Sequence, residues 1–517
     1  MKESTSRIKN TTINSTIALT SKVLTFVLQF ICRTVFIRVL STEYLGVNGL
    51  FTNILTMLSF AELGIGNAII FKLYKPIADN DEEKIKTYMK FYQKAYFLIG
   101  IIILTIGILI IPFLKYMIND VPDIKENIYF IYVLFLANST ISYFFTYKKS
   151  IIIGYQKEYI ITLINLVAII VQNIVQIIIL LVTKNYILYL LIQISATFLE
   201  NFLASKKADK MYPFVKDNNY EKISKSEGKK IFTDVKSLIL YKIGYILSNG
   251  TDNIIISAFV GVSEVGLLSN YTTITNAITT FLSSFFNGFT ASVGNLNTTD
   301  DNEKKESIFY QILLLSFLVY GFVSVAIALL SNDFIVIWLG QDYLLSFSVC
   351  LALGLNMYVD GIRFVNYTFR NTMGLFKKGR FIPLISSITN VILSVLLVRY
   401  IGIFGVLIAT VLTRLFITTM YDPYLLHKYK FNTPCRRYYL TYIYYFIILI
   451  MDFCICNFVL SKIVIGGILG FIVKGIVIMI ITYILFLIFV CRMKEFKELK
   501  DILKNIVLKR FIKRKEV

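Results

Sequence analysis

Residues 159–182 read YIITLINLVAIIVQNIVQIIILLV and contain no charged side chain. The hydrocarbon core of a bilayer is about 30 Å thick, and a helix needs about 20 apolar residues to cross it. This stretch is therefore predicted to be a transmembrane helix. Segments of the same kind recur along the chain from residue 15 to residue 490.

Fourteen such spans are predicted, separated by loops that carry lysine. Their bounds are 15–39, 46–70, 91–114, 127–147, 159–182, 185–204, 237–260, 266–290, 308–331, 343–366, 381–399, 402–421, 438–460 and 464–490. Backbone N–H and C=O groups find no water inside the hydrocarbon, so spans of this length form helices. The predicted fold class is all-α, a polytopic membrane bundle of about 14 transmembrane helices.

The net charge of +21 is explained by where the basic residues lie relative to the membrane. With 14 crossings, about 40 of the 53 Lys and Arg lie in the termini and loops of one side, and six lie at the other side. The side rich in Lys and Arg is the cytoplasmic one. This bias explains the basic composition without a nucleic-acid partner, and it predicts that both termini are cytoplasmic.

Motifs of soluble enzymes are nearly absent from the sequence. The chain has one histidine, His427, which is predicted to be solvated in a cytoplasmic loop, and it has no G-x-x-x-x-G-K-[ST] phosphate-binding loop. Asp79 and Asp81 have the D-x-D spacing that sugar-nucleotide transferases use for a metal, but they lie in a short charged loop and are interpreted as solvated surface. No cofactor is expected, apart from a coupling cation such as H+ or Na+.

The first six spans overlay the next six when the chain is shifted by 220 residues. Corresponding bounds agree within about five residues, and Lys22 maps to Lys242 and Gly46 to Gly266. Because six is even, both copies enter the membrane from the same side, which makes a parallel repeat related by an axis along the membrane normal.

The predicted domains follow this duplication. They are an N-lobe of helices 1–6 (1–204), a cytoplasmic linker (205–236), a C-lobe of helices 7–12 (237–421), an appended helix pair (422–490) and a basic cytoplasmic tail (491–517).

Charged and polar residues inside the spans mark the candidate site, because a charge at mid-bilayer costs about 2.5–3.5 kcal/mol on insertion scales. Lys22 and Arg33 are 11 residues apart, so they point within about 20° of each other on a helix. With Thr25 and Gln29 they form one polar stripe, and its copy in the seventh span is Lys242, Tyr245, Asn249 and Asn253. The eighth span adds Asn276, Thr280, Ser284 and Asn287.

Two stripes facing each other across the repeat axis would line a central, water-filled, cationic cavity that suits a sugar with a phosphate. Arg363 of the tenth span is a further candidate, with an anchor at the inner interface as the alternative. Lys22, Arg33 and Lys242 also have an alternative interpretation. Long basic side chains near helix ends can extend to the lipid headgroups, so these three could lie at the membrane interface instead of lining a cavity.

Four further charged residues in the spans are interpreted differently from the bases of the predicted cavity. Glu62 and Asp252 are either a coupling-ion site or ion-pair partners of the bases in the first span. Asp452 and Lys474 are expected to pair with each other between helices 13 and 14.

The chain resembles the Wzx-type polysaccharide flippases of the multidrug/oligosaccharidyl-lipid/polysaccharide exporter (MOP) superfamily. The resemblance is carried by RTVFIRVLSTEYLG (residues 33–46), by its copy ISAFVGVSEVG (256–266) and by IVIWLGQDY (335–343). It implies a two-lobed, V-shaped bundle that works by alternating access. It also implies transport of undecaprenyl-diphosphate-linked oligosaccharide repeats from the inner to the outer leaflet of a bacterial plasma membrane, for capsule, O-antigen or related glycans.

The resemblance further implies that basic cavity residues, here Lys22, Arg33 and Lys242, hold the diphosphate or acidic sugars. Asn253 stands where a second Arg33 would be, which puts a symmetric cradle of four bases in doubt. Implied partners are the polyprenyl-linked glycan, membrane lipids, a polysaccharide polymerase and glycosyltransferases. A lipid II flippase, a cation-coupled drug exporter and a membrane glycosyltransferase or polymerase remain as alternatives.

Overall fold

The computed structural model describes residues 2–59, 65–120, 122–217, 220–221, 223–224, 250–296, 301–375, 378–501 and 504. This part of the chain is built from α-helices joined by short turns, and it contains no strand. The predicted all-α class is confirmed.

The helices of the first half match most of the predicted spans, but the described residues of the second span, 46–70, are divided between two helices. They are α1 (Lys2–Val39), α2 (Thr42–Leu58), α3 (Ile65–Ala78), α4 (Glu82–Ile110), α5 (Leu114–Met117), α6 (Ile128–Thr146), α7 (Lys149–Gly154), α8 (Glu158–Thr183), α9 (Tyr186–Met211) and α10 (250–259). The seventh predicted span can be compared only from residue 250 onward.

The second half continues the correspondence. Its helices are α11 (Val262–Leu296), α12 (Asn302–Trp338), α13 (Phe347–Thr372), α14 (Ile382–Thr413), α15 (Thr419–Leu426), α16 (Arg436–Leu460) and α17 (Gly467–Val490). Two π-helical turns, Arg414–Thr418 and His427–Phe431, flank α15.

Nine helices of the described chain are long and apolar enough to cross a membrane. One of the nine, the continuous helical stretch from Ile382 to Phe431, holds two predicted spans. As described, α2, α3 and α10 are each shorter than a crossing. With 35 residues α11 is long enough, but serine, threonine and asparagine make it polar. The chain is a multi-pass membrane protein.

The break between the eleventh and twelfth predicted spans lies inside α14. Ile401 has φ −133° and Gly402 has φ 56° with ψ −138°, so the helix direction changes at this pair. Side chains rarely adopt positive φ, and glycine has no Cβ to clash there. Gly402 therefore joins two crossings without a loop between them.

The chain forms two compact units, Met1–Gly266 and Leu267–Val517. In the first unit α1 packs on α8, and α9 packs on both α6 and α8. In the second unit α12 lies along α13 and also packs on α16 and α17. The predicted lobes, linker and appended pair stay predictions.

Candidate functional site

The first predicted polar stripe lies on α1, which is continuous from Lys2 to Val39. Lys22 and Gln29 are exposed and Arg33 is half-buried. At 1.5 Å per residue, the step from Lys22 to Arg33 covers about 16 Å along the helix. Ser21 and Cys32 are buried, so the packed side of α1 is not the side that carries Lys22. Within the described residues Lys22 forms no ion pair.

Arg33 lies beside an aromatic group on α9. The Tyr189 hydroxyl lies near the Cys32 thiol and is close enough to the Arg33 guanidinium to interact electrostatically. The rings of Phe36 and Tyr189 meet edge to face with centroids 5.2 Å apart. Arg33 is therefore held at the contact between α1 and α9, whereas Lys22 and Gln29 project from the first unit.

The remaining candidates of the first unit are only partly covered by the structure. Lys242, Asn249 and Glu62 lie outside the described residues, and their assignment stays a prediction. Asp252 and Asn253 on α10 are both half-buried. A Cβ built on Gly49 would lie 3.9 Å from the amide nitrogen of Asn253, so this side chain lies beside α2.

Two glycines that the repeat relates to each other make reciprocal backbone contacts. A Cβ on Gly46 would overlap the carbonyl oxygen of Val262, and a Cβ on Gly266 would overlap the carbonyl oxygen of Thr42. A shift of 220 residues converts one contact into the other, because it takes Thr42 to Val262 and Gly46 to Gly266. Sequence reasoning aligned the two glycines but did not predict that they meet.

The end of α10 is fastened to the turn that follows α5. The Ser257 hydroxyl donates to the carbonyl oxygen of Met117 at 2.7 Å, and the Asn119 N–H donates to the carbonyl oxygen of Ser257 at 3.1 Å. The backbone contacts of Gly46 and Gly266 are called the glycine crossing below. Together with them, these two hydrogen bonds fix the position of α10 within the first unit.

Arg363 belongs to a charged cluster on α13 in the second unit. Its guanidinium lies 3.0 Å from the Asp360 carboxylate, and Arg414 binds the other oxygen of Asp360 at 2.8 Å. All three side chains are at least partly shielded, Arg414 the most. One carboxylate thus serves two guanidinium groups, which leaves a net positive charge. Neither Asp360 nor Arg414 was predicted to belong to a site, and the i, i+3 spacing of Asp360 and Arg363 was the signal that could have indicated the pair.

The polar face of α11 runs next to this cluster. Asn276, Thr280 and Asn287 are exposed and Ser284 is half-buried. α11 meets α13 through Thr279 and Met357, whose oxygen and sulfur atoms are 3.5 Å apart, and through Phe286 and Phe364, whose centroids are 6.1 Å apart. Asp360 lies between these two contacts along α13. The second unit therefore has hydroxyl, amide and guanidinium groups on neighbouring helices.

His427 is buried, and the prediction of a solvated loop residue was wrong. Only 1% of its surface is exposed. Its Nδ1 lies 2.9 Å from the carbonyl oxygen of Pro423 and its Nε2 lies 3.2 Å from the Tyr310 hydroxyl. A carbonyl can only accept, so Nδ1 carries the hydrogen and Nε2 accepts from Tyr310. The helical structure continues past residue 421 through α15, which brings His427 against α12.

The predicted pair between Asp452 and Lys474 does not form. Lys474 donates to Asp333 of α12 at 2.7 Å, while Asp452 accepts hydrogen bonds from Thr482 at 2.9 Å and from Cys456. Thr482 stands eight residues beyond Lys474, about two helical turns. The contact between α16 and α17 is therefore displaced by about two turns from the one that the prediction assumed.

The D-x-D loop has a structural role at its second aspartate. Asp81 caps α4 by accepting a hydrogen bond of 3.0 Å from the backbone N–H of Lys84. This hydrogen bond lowers the pKa of the Asp81 carboxyl below its ordinary value. Capping of this kind satisfies one of the free N–H groups at a helix start.

Known structures with the same fold are membrane transporters. An inward-facing multidrug resistance MATE family transporter of the MOP superfamily matches with a TM-score of 0.61 and 15% identity, over 77% of this chain and 92% of that one. The lipid II flippase MurJ in an inward closed conformation matches with a TM-score of 0.60 and 16% identity, over 92% and 97%. The Vibrio cholerae MATE transporter VcmN, as a mutant, gives 0.55 and 10%, over 83% and 98%.

These likenesses establish the fold, which is that of the MOP superfamily transporters. A comparison with curated proteins gave no match. The family model described as "Polysaccharide biosynthesis protein" matches residues 12–289, more than half of the chain. The matched segment contains most of α1, both Gly46 and Gly266, and most of α11. The chain therefore belongs to this polysaccharide biosynthesis family.

Proposed function

We propose that this protein is a flippase that carries undecaprenyl-diphosphate-linked oligosaccharide repeats from the inner to the outer leaflet of a bacterial plasma membrane. The glycans would serve capsule, O-antigen or related surface polysaccharides. The observation that carries the proposal is Lys22, an exposed ammonium within the first predicted span that the described structure leaves without an ion pair. Membership of a polysaccharide biosynthesis family in a transporter fold supports it.

The chemistry of the cargo explains why such a base would be retained. Moving a sugar diphosphate through hydrocarbon would strip water from charged and hydroxyl groups at a prohibitive free-energy cost. A hydrated path with cationic and amide side chains replaces that water. The proposed contacts are Lys22, Gln29 and Arg33 on the first unit, Lys242, Asn249 and Asn253 on the seventh span, and Arg363 on α13. The polyprenyl chain would remain in lipid throughout.

The basic character of the site favours an anionic cargo over the cations that many drug exporters carry. Among the described residues of the two stripes, the charged groups are Lys22 and Arg33. The cluster around Arg363 is also net positive, because it has two guanidinium groups and one carboxylate. A lipid II flippase handles the same chemical class of cargo and remains the alternative within the superfamily.

Alternating access requires a closure that can open on either side, and we assign the outer closure to the glycine crossing. The predicted topology puts Gly46 and Gly266 near the outer ends of their spans. Backbone contact without an intervening side chain lets two helices approach as closely as they can. Opening the outer side would separate α2 from the start of α11.

The energy source is proposed to be an ion gradient or removal of the product, because the sequence has no phosphate-binding loop for ATP. Asp252, half-buried on α10, and Glu62 are the proposed sites for H+ or Na+. A polysaccharide polymerase and glycosyltransferases are the proposed partners on either side of the transport step.

The test is surface glycan export in a deletion strain that is complemented with variants. Lys22→Ala and Arg33→Ala are each expected to abolish export while folded protein remains in the membrane at normal abundance. Lys115→Ala is the control, since it removes an exposed lysine away from the stripe. Full export by both single variants and by the double variant would remove the cavity assignment. Glycan of altered length, instead of its loss, in the deletion strain would favour a polymerase.

The closure is tested by a pair of glycines one turn apart on α2. Gly46→Ala places a methyl group on a backbone carbonyl, whereas Gly49→Ala meets side-chain atoms, the Cγ1 of Val265 at 3.3 Å and the amide nitrogen of Asn253 at 3.9 Å. We expect Gly46→Ala to abolish export and Gly49→Ala to retain most of it. Equal export by the two variants would show that the crossing does not need to close.

A further inference from the structure

A cationic cavity lies at the basic side of the first unit, away from the proposed transport path. Its volume is about 190 Å³. It is formed by α4, the end of α6, the end of α9 and the 3-10 turn Pro213–Lys216. Lys90, Lys148 and Lys216 line it together with Gln93 and Asp209, over a buried apolar floor that includes Met89 and Val215.

The charges on this lining are unequal. Asp209 is the one acid of the lining, and its carboxylate lies 2.8 Å from Lys148 and 3.8 Å from Lys216. Nearby, Asp217 binds Lys86 at 3.3 Å, Glu200 binds Lys149 at 2.7 Å, and the Lys90 ammonium lies 6.0 Å from the ring centroid of Tyr220. The lining itself has three ammonium groups and one carboxylate, a net charge of about +2 in a partly enclosed space, which favours an anion.

The size of the cavity limits that anion. Pockets for drug-sized ligands measure about 300–1,000 Å³, so 190 Å³ accommodates a single phosphate group with its ester better than a diphosphate carrying sugars. The cavity is therefore distinct in capacity from a site for the transported glycan.

Exposed aromatic side chains indicate that the phosphate belongs to a lipid. Phe97 lies one turn beyond Gln93 on α4, and Phe144 lies one turn before Lys148 on α6. Both are exposed, and their rings meet edge to face with centroids 5.6 Å apart. In the predicted topology α4 leaves the basic side and α6 returns to it, which puts both rings deeper in the bilayer than the lysines. Acyl chains would lie against them while the headgroup occupies the cavity.

We propose that this cavity binds the phosphodiester headgroup of an anionic phospholipid of the inner leaflet. Lys90, Lys148 and Lys216 bind its phosphate oxygens, Gln93 donates a further hydrogen bond, and Phe97 and Phe144 contact the acyl chains. Anionic lipids are abundant at the cytoplasmic surface and bind basic pockets between transmembrane helices. The lipid would tie α4, α6 and α9 together at their cytoplasmic ends. This proposal does not rest on the transport proposal, because it is measured as binding.

The experiment titrates the purified full chain with phosphatidylglycerol or with phosphatidylcholine of the same acyl chains, and native mass spectrometry counts the bound lipids. Phosphatidylglycerol is expected to bind more tightly. The double variant Lys90→Gln, Lys216→Gln should weaken it about tenfold. The matched control Lys207→Gln, Lys210→Gln removes the same charge from exposed lysines on α9 and should leave the affinity unchanged.

A gain of affinity separates this proposal from a loss of folding. Asp209→Asn removes the carboxylate that competes for Lys148 and Lys216, so it should tighten phosphatidylglycerol binding several-fold. Equal weakening by the two double variants, or no gain from Asp209→Asn, overturns the proposal. Protection from thermal unfolding by inorganic phosphate as strong as that by phosphatidylglycerol would show a free-anion site and overturn the assignment to a lipid.

Discussion

Basic side chains within the spans of the two units differ in how the fold treats them. In the second unit Arg363, Arg414 and Lys474 each lie 2.7–3.0 Å from a carboxylate, and Arg370, just beyond the end of its span, lies 2.6 Å from one. In the first unit Lys22 is exposed on α1 and has no ion pair within the described chain. Both arrangements keep a charge in a region where charge is unfavourable.

The difference separates charges that hold the structure from a charge that is available to a ligand. Removing one partner of a buried ion pair leaves the other as an uncompensated buried charge, and this destabilises the fold strongly. A base that has no such acid contributes little to stability, so another reason must keep it. Stability and export should therefore respond in opposite order to substitutions in the two units.

The largest stability effect is expected at Arg370, whose guanidinium donates to Asp422 at 2.6 Å with both side chains almost fully buried. Arg370→Leu leaves the Asp422 carboxylate without its cation and should lower the free energy of unfolding by about 3–5 kcal/mol. Thermal unfolding of the detergent-solubilised protein, followed by size-exclusion chromatography, measures it. The double variant with Asp422→Leu should recover part of the loss. Wild-type stability of the single variant would contradict the role given to this pair.

An intermediate effect is expected at Lys474, which pairs with Asp333 between α17 and α12. Both side chains are partly exposed, and interhelical polar contacts in membrane proteins contribute about 0.6 kcal/mol on average and up to about 1.7. Lys474→Gln should therefore destabilise by about 1 kcal/mol in the same assay, and addition of Asp333→Asn should add little more. A loss as large as that of Arg370→Leu would erase the distinction between the two pairs.

The smallest stability effect is expected at Lys22. Lys22→Gln keeps a long polar side chain, and exposed substitutions usually change stability by less than about 0.5 kcal/mol. The same variant should lose most of its export activity, because the amide cannot neutralise a phosphate. Surface glycan is measured on the cells, and the unfolding temperature is measured on protein solubilised from the same cells. A marked fall in unfolding temperature would make Lys22 a structural base, like those of the second unit.

Hydropathy predicted most of the architecture because lipid imposes one simple requirement. Backbone groups must be satisfied within each crossing, so most of the described residues of the predicted spans are helical. The predicted spans also end at residue 399 and resume at residue 402, and α14 turns at Ile401 and Gly402.

Contacts between helices were predicted less well, because they depend on rotation and stagger that composition does not encode. Asp452 and Lys474 were predicted to pair between two consecutive helices. Instead α17 is displaced along its axis, so Thr482 donates a hydrogen bond to Asp452. His427 was assigned to a loop because polar residues surround it, although the helical structure there continues and buries the ring. The stripe of α1 was predictable, because it depends on the period of a single helix.

Gly402 has a consequence for genetics. The position of its absent Cβ has nothing within 4 Å, so a larger side chain would meet no neighbour. Its backbone conformation is nevertheless one that other residues adopt only with strain of about 1–3 kcal/mol. Export-deficient alleles should thus arise at this corner through the main chain alone.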